Sequence, residues 1–379
     1  MSGPLHGVKV IEMAGLGPAP FAAMMLADLG AEVITVDRLS TGQEDPATVS
    51  AQLLRRGKQS IALDLKQSAS VEVVLRLVES AEVIVEGFRP GVMERLGLGP
   101  DVCLARNPRL VYARMTGWGQ HGPLSQAAGH DINYISLSGA LHAIGTAEQP
   151  IAPLNLVGDF GGGAMLLAVG VLSAVIHART SGKGQVVDAA MTDGSALLMS
   201  MMYGFKAEGH WKDERAANML DGGAHFYGTY RCADDKWISI GSIEPQFYAL
   251  LVEKTGMQDV DVANQRNPAT WVDMKQRLVE VFARRTRNEW CALMEATDVC
   301  FAPVLAMEEA PAHPHNLARQ TFCEVAGVVQ PAPAPRFSQT PACIDHAPVA
   351  RGSDTSKILE RLGLSEKEID ALHRIGAIG

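Results

Sequence analysis

Cysteine is sparse and unpatterned in this sequence. Its 379 residues hold six, Cys103, Cys232, Cys291, Cys300, Cys323 and Cys343, and no two form a CxxC pair. The spacings fit no zinc pattern, and thiols so scattered suit a reducing compartment better than a disulfide scaffold. A cytoplasmic protein is therefore expected. HExxH, GxSxG and the Walker A glycine–lysine loop are all missing, so the zinc-peptidase, serine-hydrolase and P-loop chemistries have no anchor. His313-Pro314-His315 has no evident third ligand. No metal is expected. Basic charge is scarce, with 33 Lys and Arg against 42 Asp and Glu and a net charge of −9. A duplex-binding protein carries a basic face, so nucleic acid is not an expected partner.

Targeting signals are equally thin. The opening MSGPLHGVKV has no basic patch followed by an apolar stretch, so no signal peptide is expected. The closing RIGAIG carries no peroxisomal tripeptide. One long uncharged run exists, residues 160–176, near the lower limit for crossing a bilayer. It contains four glycines and has no second run to pair with, so a buried helix is expected and no membrane partner.

What the chain does have is core-forming material. Hydrophobic residues make up 47% and charged residues 20%, enough to bury sizeable cores over two domains, or three. In the first 115 residues, strand-like segments at 8–12, 32–36, 60–65, 82–86 and 110–115 alternate with helical ones at 21–29 and 71–78. Such alternation predicts an α/β fold with a parallel sheet and crossover helices. A long apolar helix is expected over 159–180 and a sixth strand over 185–190. A hairpin follows at 229–242, turning at Ala233-Asp234-Asp235. Helices are expected at 246–254, 271–284, 287–296, 356–362 and 366–375. Pro331-Ala332-Pro333-Ala334-Pro335 reads as a stiff linker.

Three features carry chemistry. The first is Gly15-Leu16-Gly17-Pro18-Ala19-Pro20, between a strand and a helix, with Asp37 ending the next strand. It mimics a dinucleotide fingerprint, but Pro18 and Pro20 have no N–H to offer a pyrophosphate. A turn of this kind without a nicotinamide cofactor is expected. The second is a group of cations: Arg38, Arg55, Arg56, Lys58, Lys66, Arg89, Arg95 and Arg114. Arg38 and Arg89 follow strand ends, where open α/β sheets place ligands. The alternative for each is plain solvated charge.

The third is Gly129-His130-Asp131-Ile132-Asn133-Tyr134, with Gly158-Asp159-Phe160-Gly161-Gly162-Gly163 downstream. His130 sits in a polar cluster that a plain core helix would not contain. Asp159 opens the long apolar helix, so N-capping is its simplest role. Three glycines in a first helical turn cost about 1 kcal/mol each against alanine. Their functional reading is exposed backbone amides, with Gly161, Gly162 and Gly163 as candidate donors to an oxyanion.

These strings resemble the α-methylacyl-CoA racemases, within the family III CoA-transferase-like group, over nearly the whole chain. The resemblance also takes in Leu63-Asp64-Leu65-Lys66, Gly87-Phe88-Arg89-Pro90-Gly91, residues 113–120, residues 184–191 and Gly241-Ser242-Ile243-Glu244-Pro245. The GHDINY element is the specific one; the glycine-rich strings are shared with CoA-transferases. The resemblance implies a Rossmann-like large domain over 1–190, a linker over 191–225 and a small α/β domain over 226–330. Residues 331–379 would return to the large domain. It implies two chains interlocked as a homodimer, an acyl-CoA thioester as substrate, and no separate cofactor. By carry-over, His130 and Asp159 are the acid–base pair and Glu244 stands near the histidine. Arg38, Leu63, Asp64, Leu65, Lys66, Gly87, Phe88, Arg89, Arg95, Gly129, Asp131, Ile132, Asn133 and Tyr134 correspond to positions that contact CoA.

Residue chemistry agrees with that implication. Inverting an α-carbon needs two groups of opposite protonation state flanking it, as an imidazole and a carboxyl can be. The expected activity is a racemase inverting the α-carbon of 2-methylacyl-CoA thioesters through an enolate. The alternative is a CoA transferase using Asp159 as nucleophile, which does not need His130. Four methionine-region residues, Met199, Met201, Met202 and Tyr203, are either an adaptable acyl surface or core. The acidic balance is uneven: residues 1–115 hold 12 basic and 13 acidic residues, the remainder 21 and 29. CoA phosphates are therefore expected on the near-neutral first part.

Overall fold

The computed structural model describes residues 3–39, 42 and 44–379. It divides into two compact units. The first comprises Met1–Ser138, Leu154–Leu198 and Gln320–Gly379; the second comprises Gly139–Pro153 and Met199–Arg319.

The first unit is built on six strands: β1 (Lys9–Met13), β2 (Glu32–Asp37), β3 (Lys58–Ala62), β4 (Val83–Glu86), β5 (Val111–Thr116) and β6 (Gln185–Ala190). Their order is β3-β2-β1-β4-β5-β6, and every pairing is parallel. Successive side chains on a strand point to opposite faces. Val10, Val83, Val85, Val111 and Ala113 accordingly feed one core, while Ile11, Ile84 and Tyr112 feed another. Helices Pro18–Asp28 and Leu166–Ser181 cover the first face. Ser68–Ser80, Thr355–Arg361 and Glu366–Arg374 cover the second. Both faces are thus buried, as parallel sheets require.

The strand expected at 60–65 lies at 58–62. Asp64 ends it with a turn, its Oδ1 accepting the Lys66 N–H at 3.1 Å. The helix expected from residue 21 begins at Pro18, because Pro18 and Pro20 fit a first turn that has no use for their missing N–H groups. Within the linker expected at 331–335, Pro331 closes a strand: β11 (Val328–Pro331) pairs antiparallel with β10 (Phe322–Val325). The chain end docks beside β3, with Asp64 N–H donating to the Ala377 carbonyl at 2.9 Å.

The long apolar helix also begins earlier than expected. Leu156–Met165 is π-helical and runs into an α-helix, Leu166–Ser181. The 26 residues are long and apolar enough to cross a membrane. One face is core, through Leu167, Val171, Ala174 and Ala178. The other is not: Met165, Val169 and Ile176 are 45, 57 and 66% exposed.

In the second unit, β7 (Tyr227–Arg231), β8 (Trp237–Gly241) and β9 (Phe301–Val304) form an antiparallel sheet. The turn at Ala233–Asp235 falls where the sequence puts it, and Asp235 has φ +61. Helices Pro245–Thr255, Trp271–Phe282 and Arg287–Met294 pack over Phe226, Tyr230 and Ile240. β9 escapes the sequence pattern because it is short and carries Pro303.

Candidate active site

Strand order reverses between β1 and β4, and ligands in open α/β sheets bind in the crevice at the carboxyl ends beside such a reversal. A cavity of about 350 Å³ lies there. Leu16 and Gly17 follow β1, Gly87 to Pro90 follow β4, and Gly117 and Trp118 follow β5; all line it. His130 and Asp159, 29 positions apart in sequence, line the same cavity.

The GHDINY string now has a physical account, residue by residue. His130 is the N-cap of helix Asp131–Leu137, and its N–H donates to Asn133 Oδ1 at 3.0 Å. Asn133 therefore closes the helix start. Tyr134 folds back under the turn, its hydroxyl donating to the Gly129 carbonyl. Its ring meets Trp118 edge-on, with centroids 4.7 Å apart. A Cβ at Gly129 would stand 2.8 Å from that ring, and one at Gly117 would run into it. Asp131 is buried, and its Oδ1 accepts the Asp159 N–H at 2.6 Å. Gly129, His130 and Tyr134 line the cavity; Asp131, Ile132 and Asn133 do not. The helix after this string stops at Leu137 and resumes only over Ala140–Ala143, because Gly139 turns the chain with φ +84.

Asp159 is not the N-cap that its sequence position suggests. It lies inside the π-helical segment, whose cap is Asn155. Asn155 Nδ2 donates to Asp159 Oδ2 at 3.1 Å. Burial pushes the Asp159 carboxyl above the ordinary aspartate value; the Asn155 bond and the His130 charge pull it down, and the Asp131 charge raises it further. A carboxyl held up in this way is suited to carry a proton in turnover.

The three glycines after Asp159 serve packing, not anion binding. In a π-helix each N–H bonds to the carbonyl five residues back, which commits the Gly161, Gly162 and Gly163 amides within the helix. None of the three lines the cavity. A Cβ at Gly162 would stand 2.5 Å from Ser195 N, and one at Gly163 2.9 Å from Met191 Cγ. Their cost in the helix is offset by the close approach of helix Met191–Leu198.

The eight cations separate cleanly. Arg55 binds Asp37, Arg56 binds Asp28, Lys58 binds Glu12, and Arg114 binds Glu86 and Glu94. These four are structural. Asp37 is likewise buried and engaged at both oxygens, Oδ1 by Arg55 Nη1 at 3.0 Å and Oδ2 by Arg55 Nη2 at 2.8 Å and the Ser60 hydroxyl at 2.6 Å. Arg38, Lys66, Arg89 and Arg95 are exposed and form no ion pair among the described residues. Arg89 alone of these lines the cavity. Its loop is held from below: buried Glu86 accepts the Phe88 N–H at 2.7 Å and Arg114 Nε at 2.9 Å.

Other residues singled out from the sequence are not among those that line this cavity. Leu63 is buried in the core, and Leu65 packs partly against it. Glu244 is exposed at the N-cap of Pro245–Thr255, in the second unit. Met199, Met202 and Tyr203 line a separate 280 Å³ cavity of that unit with Trp211. They are not core: Tyr203 and Met201 are 57 and 52% exposed. Trp118 and Leu16 escaped notice as wall residues. The glycines flanking each, 117 and 119, 15 and 17, were the available signal.

The sequence profile of CoA-transferase family III matches residues 5–355. The chain belongs to CoA-transferase family III. Within this family, the chain is similar to an α-methylacyl-CoA racemase of Mus musculus, 46% identical over 377 residues, covering 97% of this chain and 96% of that protein. The racemase of Homo sapiens is 44% identical, with the same coverage. A CAIB/BAIF family protein from Brucella suis has the same fold, with a TM-score of 0.82 at 24% identity, covering 96% of this chain and 100% of that one.

Proposed function

We propose that this family III protein is an α-methylacyl-CoA racemase. The observation that carries the reading is His130 and Asp159 on the wall of one cavity at the strand-order reversal. Similarity to the mouse and human racemases supports it. One of the two groups takes the α-proton of a 2-methylacyl-CoA thioester, leaving an enolate. The other then delivers a proton to the opposite face. Imidazole with carboxylic acid runs one direction, and imidazolium with carboxylate the reverse. Each turnover leaves the pair set for the opposite direction, and a second turnover in the same direction needs the imidazolium to lose a proton to solvent and the carboxylate to regain one. Burial holds the Asp159 carboxyl above the ordinary aspartate value, which helps it carry a proton.

The thioester's CoA moiety is anionic. Arg89 at the cavity, with Arg38, Lys66 and Arg95 free of partners among the described residues, supports phosphate binding on the first unit. We also assign a second copy of the chain, interlocked with the first, as the cover for a broad apolar surface. That surface includes Leu137, Leu154, Leu156, Val169, Ile176 and Leu197, each at least 55% exposed. Exposed apolar side chains of this kind are what a protein interface would bury.

The test uses one enantiomer of a 2-methylacyl-CoA in D2O. Inversion with deuterium uptake at the α-carbon is expected. Absence of exchange, with CoA moving to an added free carboxylate, would overturn the racemase reading in favour of transfer through Asp159.

A further inference from the structure

Asp131 is the neighbour of His130 in sequence and of Asp159 in space. It is the first residue of its helix and only 6% exposed. Its Oδ1 accepts the Asp159 N–H at 2.6 Å, joining the helix that starts at His130 to the π-helical segment that carries Asp159. The approach is close enough to require glycine beside it: a Cβ at Gly158 would stand 2.5 Å from that same oxygen. The second oxygen, Oδ2, is buried and has no hydrogen-bond partner among the described residues. No cation pairs with the carboxylate there either. Asp131 does not line the cavity.

We propose that Asp131 is a positioning residue that sets the Asp159 carboxyl relative to the His130 imidazole. This deepens the racemase reading and rests on it. Two consequences separate the role from ordinary packing. The first is geometric. Proton transfer depends steeply on placement, and a misplacement of about 1 Å costs on the order of 10²-fold in rate. The second is electrostatic. The groups facing Asp159 are His130, Asp131 and Tyr134 from one helix and Asn155 from its own; the Gly17 loop brings no charge. Of these, only the Asp131 carboxylate opposes ionisation of Asp159 by its charge, while the His130 charge favours it.

The test compares Asp131→Asn, which keeps an acceptor oxygen but loses the charge, with Asp131→Ala, which loses both. The Asp159 carboxyl is titrated directly by 13C NMR of protein labelled at aspartate Cγ, its resonance identified by its disappearance in Asp159→Asn. In Asp131→Asn, Asp159 is expected to titrate at lower pH than in the native protein, with kcat within a few-fold. In Asp131→Ala, kcat is expected to fall about 10²-fold with little change in KM. An Asp159 titration unmoved in Asp131→Asn would overturn the proposal, even where Asp131→Ala fails to fold. So would an Asp131→Ala enzyme within twofold of native kcat. The titration needs no turnover. Loss of the racemase reading would show instead as absent α-proton exchange in the native enzyme.

Discussion

Gly17 faces Asp159 on the cavity wall: a β-carbon at Gly17 would stand 3.1 Å from Asp159 Oδ2. Gly17 also has φ +69, a backbone conformation that L-residues rarely adopt. The loop after β1 therefore needs glycine for two independent reasons, one of them functional. Gly17→Ala is expected to cost about 1 kcal/mol or more of stability from backbone strain. It is also expected to lower kcat at least tenfold by displacing the carboxyl. Urea unfolding and steady-state kinetics measure the two effects separately. A kcat within twofold of native would show that the Asp159 position tolerates the contact.

Among the described residues, Arg89 is the one arginine or lysine on the cavity wall, and it forms no ion pair. A charge-assisted hydrogen bond to phosphate contributes about 1.5–3 kcal/mol, and each 1.4 kcal/mol is tenfold in affinity. Arg89→Ala is expected to raise KM for acyl-CoA by roughly 10- to 100-fold while leaving kcat near native. The native enzyme's KM should rise with ionic strength, and the variant's should rise less. Unchanged KM at low salt would place the phosphates on other residues.

Much of this fold was legible because short, nearly continuous apolar runs and their intervening helices dominate residues 8–116. Five strand segments read from that pattern all correspond to strands of the sheet. The errors have local causes. Pro18 and Pro20 look like helix breakers, yet a first turn accepts them. Asp159 looks like a cap because charge gives way to an apolar run there, yet the helix starts three residues earlier in a π-helical segment. Gly161 to Gly163 invite an anion, but glycine also permits close helix packing, and composition cannot distinguish the two uses. Of eight basic residues, four are locked in ion pairs whose partners, such as Asp28 for Arg56, come from distant strands and helices. The Asp131 link to Asp159 spans 28 positions and leaves no sequence spacing to detect.

The Asp159 carboxyl makes stability depend on pH with a definite sign. Its folded-state value lies above the ordinary 3.8, chiefly through burial. Below the unfolded value it is protonated in both states and imposes no cost. As pH rises through the folded value, the folded state must lose that proton in a site that disfavours the charge, and stability falls. Asp159→Asn keeps an oxygen for Asn155 Nδ2 but never ionises. The variant is expected to melt at higher temperature than the native protein at pH 8. That advantage should shrink as pH falls toward 4. Thermal melts across this range decide it: a constant difference, or one growing on acidification, would contradict the burial argument.

Arg56 tests how the last segment of the first unit, Gln320–Gly379, is held. Its guanidinium is 4% exposed. It binds Asp28 through Nε and Nη2 at 3.1 and 2.6 Å, and Gln330 Oε1 and the Pro331 carbonyl through Nη1 at 2.9 and 2.8 Å. One planar side chain thus fastens helix Pro18–Asp28 to β11. Burial pushes the Asp28 carboxyl upward, and Arg56 supplies the largest opposing contributions. Arg56→Ala strands that carboxylate and is expected to cost about 3–5 kcal/mol in urea unfolding. Arg56→Lys should recover little, because a single ammonium cannot span the carboxylate and the two β11 acceptors together. The double variant Arg56→Met with Asp28→Leu removes both charges and should recover more than half of the loss. The remainder should persist, since buried Gln330 Oε1 stays without its donor. A double variant no more stable than Arg56→Ala would locate the cost in lost packing rather than in the unpaired carboxylate.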